Sequence, residues 1–417
     1  MSARIVHGPG ARKHAAIGAV LLMAASLAAC TPAPPPGPAA ASMPVATTQA
    51  TASPETPAAS AAPSPSASQA AAETAEPSCP GDECIEVAVA GDILLHPELW
   101  AQAKQDGKGK YDFDPLLAGI APYLDQSDLA LCNLETPVAA PNGPFGGYPM
   151  FNVPPQIIPA LKNVGYDGCT TASNHSMDAG VAGVKRTVDA LETAGMVSTG
   201  SYRSQAEAQR PLLVPVGSAK VAVIAGTYSL NGMKEDEPWR VDDIDKASLV
   251  SRAKAARAAG ADLVLAAIHD GAEYSSAPTA SQLALYRALA ASGEFDFIYS
   301  HHTHSVLPIE KHQSTWIVYG LGNSVAKHAT TTALNKEGLT VKMQFVRTGN
   351  TWKPGKLVWA PHIMKPSPLR WCALPAAASA PCTTEARDAA SLKRTADTVH
   401  SMNAKANGAK MWTLGSR

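Results

Sequence analysis

Phe295-Asp296-Phe297-Ile298-Tyr299-Ser300-His301-His302-Thr303-His304 is an apolar run that closes on three histidines. With a helical pattern and Gly293 before it, the run reads as a short buried strand. Histidines gathered at such a strand end form a metal-ligand pattern. His302 and His304, two residues apart, are expected to point to the same side of an extended backbone, so that both imidazoles reach one centre.

The same layout recurs outward from this segment. A helical pattern ends near Gly or Asp, a short apolar run follows, and polar residues stand at its far end. It is read at Ile120–Asp125 into Leu129–Glu135, at Ile157–Gly165 into Tyr166–His175, and at Leu249–Gly260 into Leu263–His269. The opening strand, Ile85–Ala90, runs into Gly91-Asp92. Short apolar strands alternating with helices predict an α/β fold whose mostly parallel sheet is covered by helices. Ligands of such sheets bind beyond the carboxyl ends of the strands. Asp92, Glu135, Asn174, His175, His269, His302 and His304 are therefore expected to meet on one edge. Past His304 the pattern changes. Thr315–Tyr319, Leu339–Arg347 and Lys356–Pro361 read as strands and are expected as antiparallel additions to a second sheet.

Residues 1–29 read as a signal peptide, with basic Arg4, Arg12 and Lys13 ahead of an apolar stretch too short for a comfortable membrane span. Leu27-Ala28-Ala29-Cys30 resembles the lipobox of bacterial lipoproteins, in which the cysteine is lipidated. That resemblance makes Cys30 the expected lipid anchor and the membrane a partner. The chain is then an exported lipoprotein of the cell envelope, facing the periplasm or the cell surface. Residues 30–78 hold this cysteine and a Pro, Ala, Ser and Thr tract that cannot bury enough surface to order itself. As a partly polyproline-like linker it reaches on the order of 100 Å. A domain at 79–365 and an Ala-rich C-terminal extension at 366–417, expected to be helical, complete the division.

Beyond Cys30 the cysteines are Cys79, Cys84, Cys132, Cys169, Cys372 and Cys382, an even number in an exported chain. Cys79 with Cys84 and Cys372 with Cys382 are close enough to close small loops, whereas Cys132 and Cys169 read equally as core thiols. The formal net charge of -1 and the lack of a basic stripe leave no nucleic-acid partner to expect.

Hard and borderline donors dominate the strand ends. Asp92 follows a glycine, which gives its carboxylate room to enter a cleft; a turn-forming role is the plainer reading. Glu135 can bridge cations or cap the next element. Asn174 offers an amide oxygen, and His175 an imidazole as ligand or proton donor. Asp178 either orients one of these or caps the following helix. His269 ends a continuous apolar run, where a ligand or a satisfied core histidine would sit. Glu273 and Tyr274 are read as substrate-facing or loop-holding, and His96 as substrate-facing or a loop histidine. Mixed His, Asn, Asp and Glu donors fit one or two divalent cations with open positions rather than a structural cysteine site. Mn, Fe, Zn, Mg or Ca all suit such donors. The chain has neither a Gly-x-Ser-x-Gly nor a Gly-x-x-x-x-Gly-Lys motif to support other chemistries.

Six segments taken in order resemble the capsule-synthesis proteins of the CapA type, a family associated with poly-γ-glutamate capsules and related to calcineurin-like metallophosphoesterases. They are Gly91-Asp92-Ile93-Leu94-Leu95, Asn133-Leu134-Glu135, Ser173-Asn174-His175-Ser176-Met177-Asp178-Ala179-Gly180, His269-Asp270-Gly271-Ala272-Glu273-Tyr274, His301-His302-Thr303-His304 and Tyr319-Gly320-Leu321-Gly322-Asn323. The resemblance implies a four-layer αββα sandwich of the metallophosphoesterase type. It also implies Asp92, Glu135, Asn174, His269, His302 and His304 as ligands, His175 with Asp178 as catalytic, and Asn323 near substrate. This chain has Gly-Asp where the phosphoesterases show Asp-x-His, and it has Ser300 and Ser324 where the family has Gly and Phe. The implied function is a metal-dependent hydrolase of a phosphoester or a γ-glutamyl amide, connected with poly-γ-glutamate or another envelope polymer. Its substrate would be an anionic polymer or a phosphoester. The alternative is a non-catalytic polymer-binding or export component of a capsule synthesis complex.

Overall fold

The computed structural model describes residues 79–375 and 380–414. The expected signal peptide, Cys30 and the linker lie outside the described residues. No described helix is long and apolar enough to cross a membrane.

In chain order the strands are β1 (Glu83–Ile93), β2 (Leu129–Leu134), β3 (Gly168–Thr170), β4 (Val197–Thr199), β5 (Leu213–Val216), β6 (Ala219–Thr227), β7 (Leu263–His269) and β8 (Phe297–His301). They continue as β9 (Ile309–His312), β10 (Thr315–Val318), β11 (Asn323–Val325), β12 (Glu337–Thr348), β13 (Thr351–Pro366), β14 (Leu369–Ala373) and β15 (Lys410–Met411). They form a nine-stranded sheet, ordered β14-β13-β12-β1-β2-β3-β4 with β11 on β1 and β15 on β13, and a six-stranded sheet ordered β5-β6-β7-β8-β10-β9.

Side-chain alternation sets the layers. Val87 and Val89 of β1 face the second sheet, where Val223, Leu265 and Phe297 meet them in one buried cluster. Ala88 and Ala90 point the other way, onto Leu99, Leu116 and Leu161 of the helices over the first sheet. On the outer face of the second sheet, Ala222, Val264 and Ile298 pack on Leu249, Tyr286 and Leu289. The described residues thus layer as helix, sheet, sheet, helix. Each fully buried Leu or Val stabilises this stack by about 1.5–3 kcal/mol.

Local signals aim the strands. Helix Ala280–Ala291 starts at a capping box in which Thr279 Oγ1 accepts from Gln282 N and the Gln282 side chain accepts from Thr279 N. Gly293, at φ +74°, turns the chain out of that helix. The chain then enters β8 and delivers its histidines to the strand end.

Three expectations need correction. β12 and β13 do not extend a second sheet: β12 lies antiparallel beside β1, from Glu83 opposite Arg347 to Ala90 opposite Thr340, and β13 follows it. β10 does join the second sheet, but parallel to β8 and antiparallel only to β9. Alternation in sequence specifies which face is buried, not which strand is the neighbour. The division at residue 365 also fails. β14 pairs with β13, β15 pairs with it further along, and Trp371 and Trp412 are buried in the first sheet's outer cluster. The Ala-rich stretch contributes helix Glu385–His400.

Disulfides join Cys79 to Cys84, Cys132 to Cys169, and Cys372 to Cys382. The second settles the open reading of Cys132 and Cys169: they are opposite each other on β2 and β3, with Cα atoms 4.4 Å apart.

Candidate metal centre

Strand ends of both sheets meet at one edge. Asp92 is the penultimate residue of β1, where that strand leaves β12 and pairs with β11. Gly91 permits the exchange, because a Cβ there would lie 2.1 Å from the Gly322 carbonyl oxygen. Glu135 follows β2, and Asn174 and His175 lie in the loop between β3 and helix Gly180–Thr193. His269 ends β7, and His302 and His304 follow β8.

The backbone at His302 and His304 is not extended, against expectation. Their φ angles are +82° and +49°, left-handed values that histidine adopts more readily than most residues. Local contacts impose the turn: His302 N donates to Asp92 Oδ2 at 3.2 Å, Tyr274 N to Thr303 O at 2.8 Å, and Thr303 Oγ1 to Ser305 O at 2.8 Å. The two imidazoles still converge. Glu135, His302 and His304 offer ligand atoms that all lie within 4.8 Å of one another, and all three residues are buried.

Glu135 is fully buried, and neither carboxylate oxygen has a hydrogen-bond partner among the described residues. Its Oε1 lies 3.6 Å from His304 Nε2 and 3.7 Å from His269 Nε2. His269 Nε2 is also 2.8 Å from Asn174 Oδ1. A buried carboxylate without donors is costly unless a charge compensates it. One carboxylate, two imidazoles, and an adjoining imidazole and amide oxygen make a donor set that fits a divalent cation.

Asp92 stands one step back. Asn133 Nδ2 donates to its Oδ1 at 2.9 Å, while Asn133 Oδ1 accepts from Thr170 at 3.0 Å. His301 Nδ1 is 3.1 Å from Asp92 Oδ1, out of hydrogen-bond alignment, and His304 Nδ1 is 3.4 Å from Oδ2.

The titrations follow from this crowding. Burial raises the Asp92 carboxyl, but the imidazoles of His301 and His304 outweigh it and hold the group well below its usual range. Burial pushes Glu135 well above that range, helped by Asp92 and Glu273 and opposed by His304. Burial drives His269 down, and it pushes His302 down to about 4. His304 rises to about 10 against its burial, because Glu135 and Asp92 flank it.

His175 and Asp178 form a pair beside this cluster. His175 Nδ1 lies 2.7 Å from Asp178 Oδ2, which also accepts from Phe151 N at 2.8 Å. The Phe151 ring packs edge-on to the imidazole, with centroids 4.9 Å apart. Asp178 therefore contacts the imidazole instead of capping the next helix, whose N-terminus has no side-chain cap.

Of the residues expected at the substrate, Glu273 is exposed and Tyr274 is half-buried, its hydroxyl 2.8 Å from His328 Nε2. Two others have side-chain polar atoms engaged within the protein. Asn323 is buried, with both ends of its amide engaged by His304 and Asn335. His96 is buried too, its ring edge-on to Phe151 and His328 and its Nδ1 held between Leu94 O and Lys327 N.

Sequence reasoning assigned no role to Asn133, Tyr228 or His328. Asn133 was detectable as the polar residue in the otherwise apolar Leu129–Leu134. Tyr228, half-exposed, lies with its ring centroid 4.5 Å from that of His302, and nothing in its sequence neighbourhood marks it.

Comparison with known proteins places these residues in a wider set. The family described as bacterial capsule synthesis protein PGA_cap matches residues 86–328. The capsule biosynthesis protein CapA of Bacillus anthracis is 26% identical over 255 residues, which are 58% of this chain and 60% of that protein. The PGA biosynthesis protein CapA of Bacillus subtilis is 26% identical over 262 residues, 61% of this chain and 66% of that protein. A "probable polyglutamine synthesis accessory protein" of Mycobacterium tuberculosis is 29% identical over 213 residues, 48% of this chain and 56% of that protein. The chain thus spans less than two thirds of the length of these relatives. Among solved structures, the calcineurin-like phosphoesterase YfkN of Bacillus subtilis is similar at 16% identity and a TM-score of 0.43, covering 65% of this chain and 88% of that one. A phosphatase from Mycoplasma pneumoniae gives 16% identity and a TM-score of 0.39, covering 67% and 94%.

Proposed function

This chain belongs to the bacterial capsule synthesis protein family PGA_cap, and from that premise we propose that it is a metal-dependent hydrolase of the cell envelope. Its substrate is a phosphoester or a γ-glutamyl amide in poly-γ-glutamate or another envelope polymer. The observation that carries the reading is the buried Glu135 carboxylate, without a hydrogen-bond partner among the described residues and facing His269 and His304. Glu135, His302 and His304 would hold the cation, with Asn174 and His269 beside them. When bound, a divalent cation supplies positive charge that stabilises a developing oxyanion and eases deprotonation of water.

The remaining steps belong to the protein. Asp178 accepts from His175 Nδ1, which leaves Nε2 of the doubly protonated ring as the atom that gives a proton to the leaving group. Phe151 fixes this pair from two sides, by its backbone N–H on Asp178 and its ring on His175. Tyr228 and Tyr274 border the cluster and line the approach of substrate. Burial of every ligand side chain excludes bulk water and strengthens the local electrostatics. That its relatives are named capsule and PGA biosynthesis proteins supports a role in making polymer.

The test is turnover by the purified, cation-loaded chain on phosphomonoester, phosphodiester and γ-glutamyl polymer substrates. One class is expected to be cleaved, with kcat falling by about 10²–10⁴-fold in His175→Ala while bound cation is kept. Cation binding without turnover on any class would overturn the hydrolase and favour a polymer-binding or export component.

A further inference from the structure

We infer that Asn323 is a positioning residue that sets the tautomer of His304, and so aims its Nε2 lone pair at Glu135. This rests on the reading of His304 as a ligand. Asn323 opens β11 opposite Asp92 of β1, and it is 3% exposed.

The amide has one workable orientation. Its Nδ2 donates to the Asn335 carbonyl oxygen at 2.9 Å, and a carbonyl can only accept. Turned over, the amide would bring two carbonyl oxygens together at that distance. Oδ1 must therefore face His304 Nδ1, 2.9 Å away. An amide oxygen also only accepts, so Nδ1 carries the proton. Asp92 Oδ2, 3.4 Å from the same nitrogen, is a second acceptor and favours the same assignment. In the neutral ring the lone pair then lies on Nε2, which is 3.6 Å from Glu135 Oε1. Two acceptors facing each other across that gap suit a cation between them.

The support extends behind β11. The Asn323 carbonyl oxygen lies 3.2 Å from His362 Nε2 on β13, and the Asn335 side chain donates to the Thr330 hydroxyl. Asn323 is thus fixed by its neighbours before any ligand arrives. Partners that hold a ligand histidine in this way typically govern metal affinity by about 10–100-fold.

The experiment uses the full chain with ¹⁵N-labelled histidine, and it reads the His304 ring nitrogens in the absence of cation and the zinc Kd by titration. His304→Gln assigns the signal. A slowly exchanging Nδ1 proton is expected in the wild type. Asn323→Leu should lose that protection and bind zinc about 10–100-fold more weakly. Asn323→Ser, a smaller change should the first variant fail to fold, is expected to do the same. Asn323→Asp, which keeps the acceptor, should retain the proton. A wild-type His304 with no protected proton on Nδ1 would overturn the inference, as would Asn323→Leu and Asn323→Ser with unchanged protection and affinity. A wild-type chain that binds no zinc would end the proposed function, and the ring-nitrogen signal would still decide the role of Asn323.

Discussion

Glu135 is the residue on which the centre turns, because a fully buried carboxylate with no hydrogen-bond donor among the described residues needs a cation or a proton. Without a cation, burial pushes Glu135 up and the flanking carboxylates raise His304, so the pair keeps a proton near neutral pH. Cation binding should therefore release about one proton, and affinity should rise with pH. Calorimetric titrations in buffers of different ionisation enthalpy measure this directly; a binding heat independent of buffer would contradict it. At the residue scale the meeting of these side chains at one edge was legible, since Asp92, Glu135 and His269 stand at or just beyond short apolar runs and Asn174, His302 and His304 a few residues past one. What sequence could not supply was the role of residues defined by a partner. Asn323 looked substrate-facing because only the structure shows His304 and Asn335 at the two ends of its amide. His302 and His304 converge through left-handed turns that no alternation pattern encodes.

Among the elements, β2 and β3 carry Glu135 and Asn174, and the Cys132–Cys169 disulfide ties them just before those residues. The sequence separation of 37 makes its contribution about 4 kcal/mol on a loop-entropy model. The double variant Cys132→Ala/Cys169→Ala should show a lower urea midpoint by a corresponding amount; an unchanged midpoint would mean that the bridge is idle. Across β11 and β13, His362 gives a pH-dependent contribution. Burial pushes its imidazole down to about 3 from an ordinary 6.5, so below pH 6.5 the unfolded chain takes up a proton that the folded chain refuses. Stability at this position thus falls with pH, by up to about 1.4 kcal/mol per unit, until the folded group titrates. The deficit of His362→Gln relative to wild type in urea unfolding should accordingly be smaller at pH 5 than at pH 7, and an equal deficit at both would contradict the argument. Strand identity was legible at this scale, and strand partnership was not. β12 reads as an alternating strand anywhere it is put, and its place beside β1 depends on pairings more than two hundred residues apart in sequence.

At the scale of the whole described domain, a pair of sheets lies between helical layers with a polar cluster at one edge. That edge was predictable because parallel strands in an α/β arrangement all present their carboxyl ends together. The split of those strands between two sheets came only from the family resemblance, since each unit has the same local pattern. The proposed envelope location adds a prediction for the full chain: Cys30→Ala should move it from the membrane to the soluble fraction, and a variant still bound to membranes would contradict lipid anchoring. The account as a whole depends on a cation at the strand ends. Its most direct test is elemental analysis of the purified chain beside Glu135→Gln. The account predicts about one or two divalent cations per wild-type chain and a marked loss in the variant. A wild-type content well below about one per chain, or equal contents in the two proteins, would contradict it.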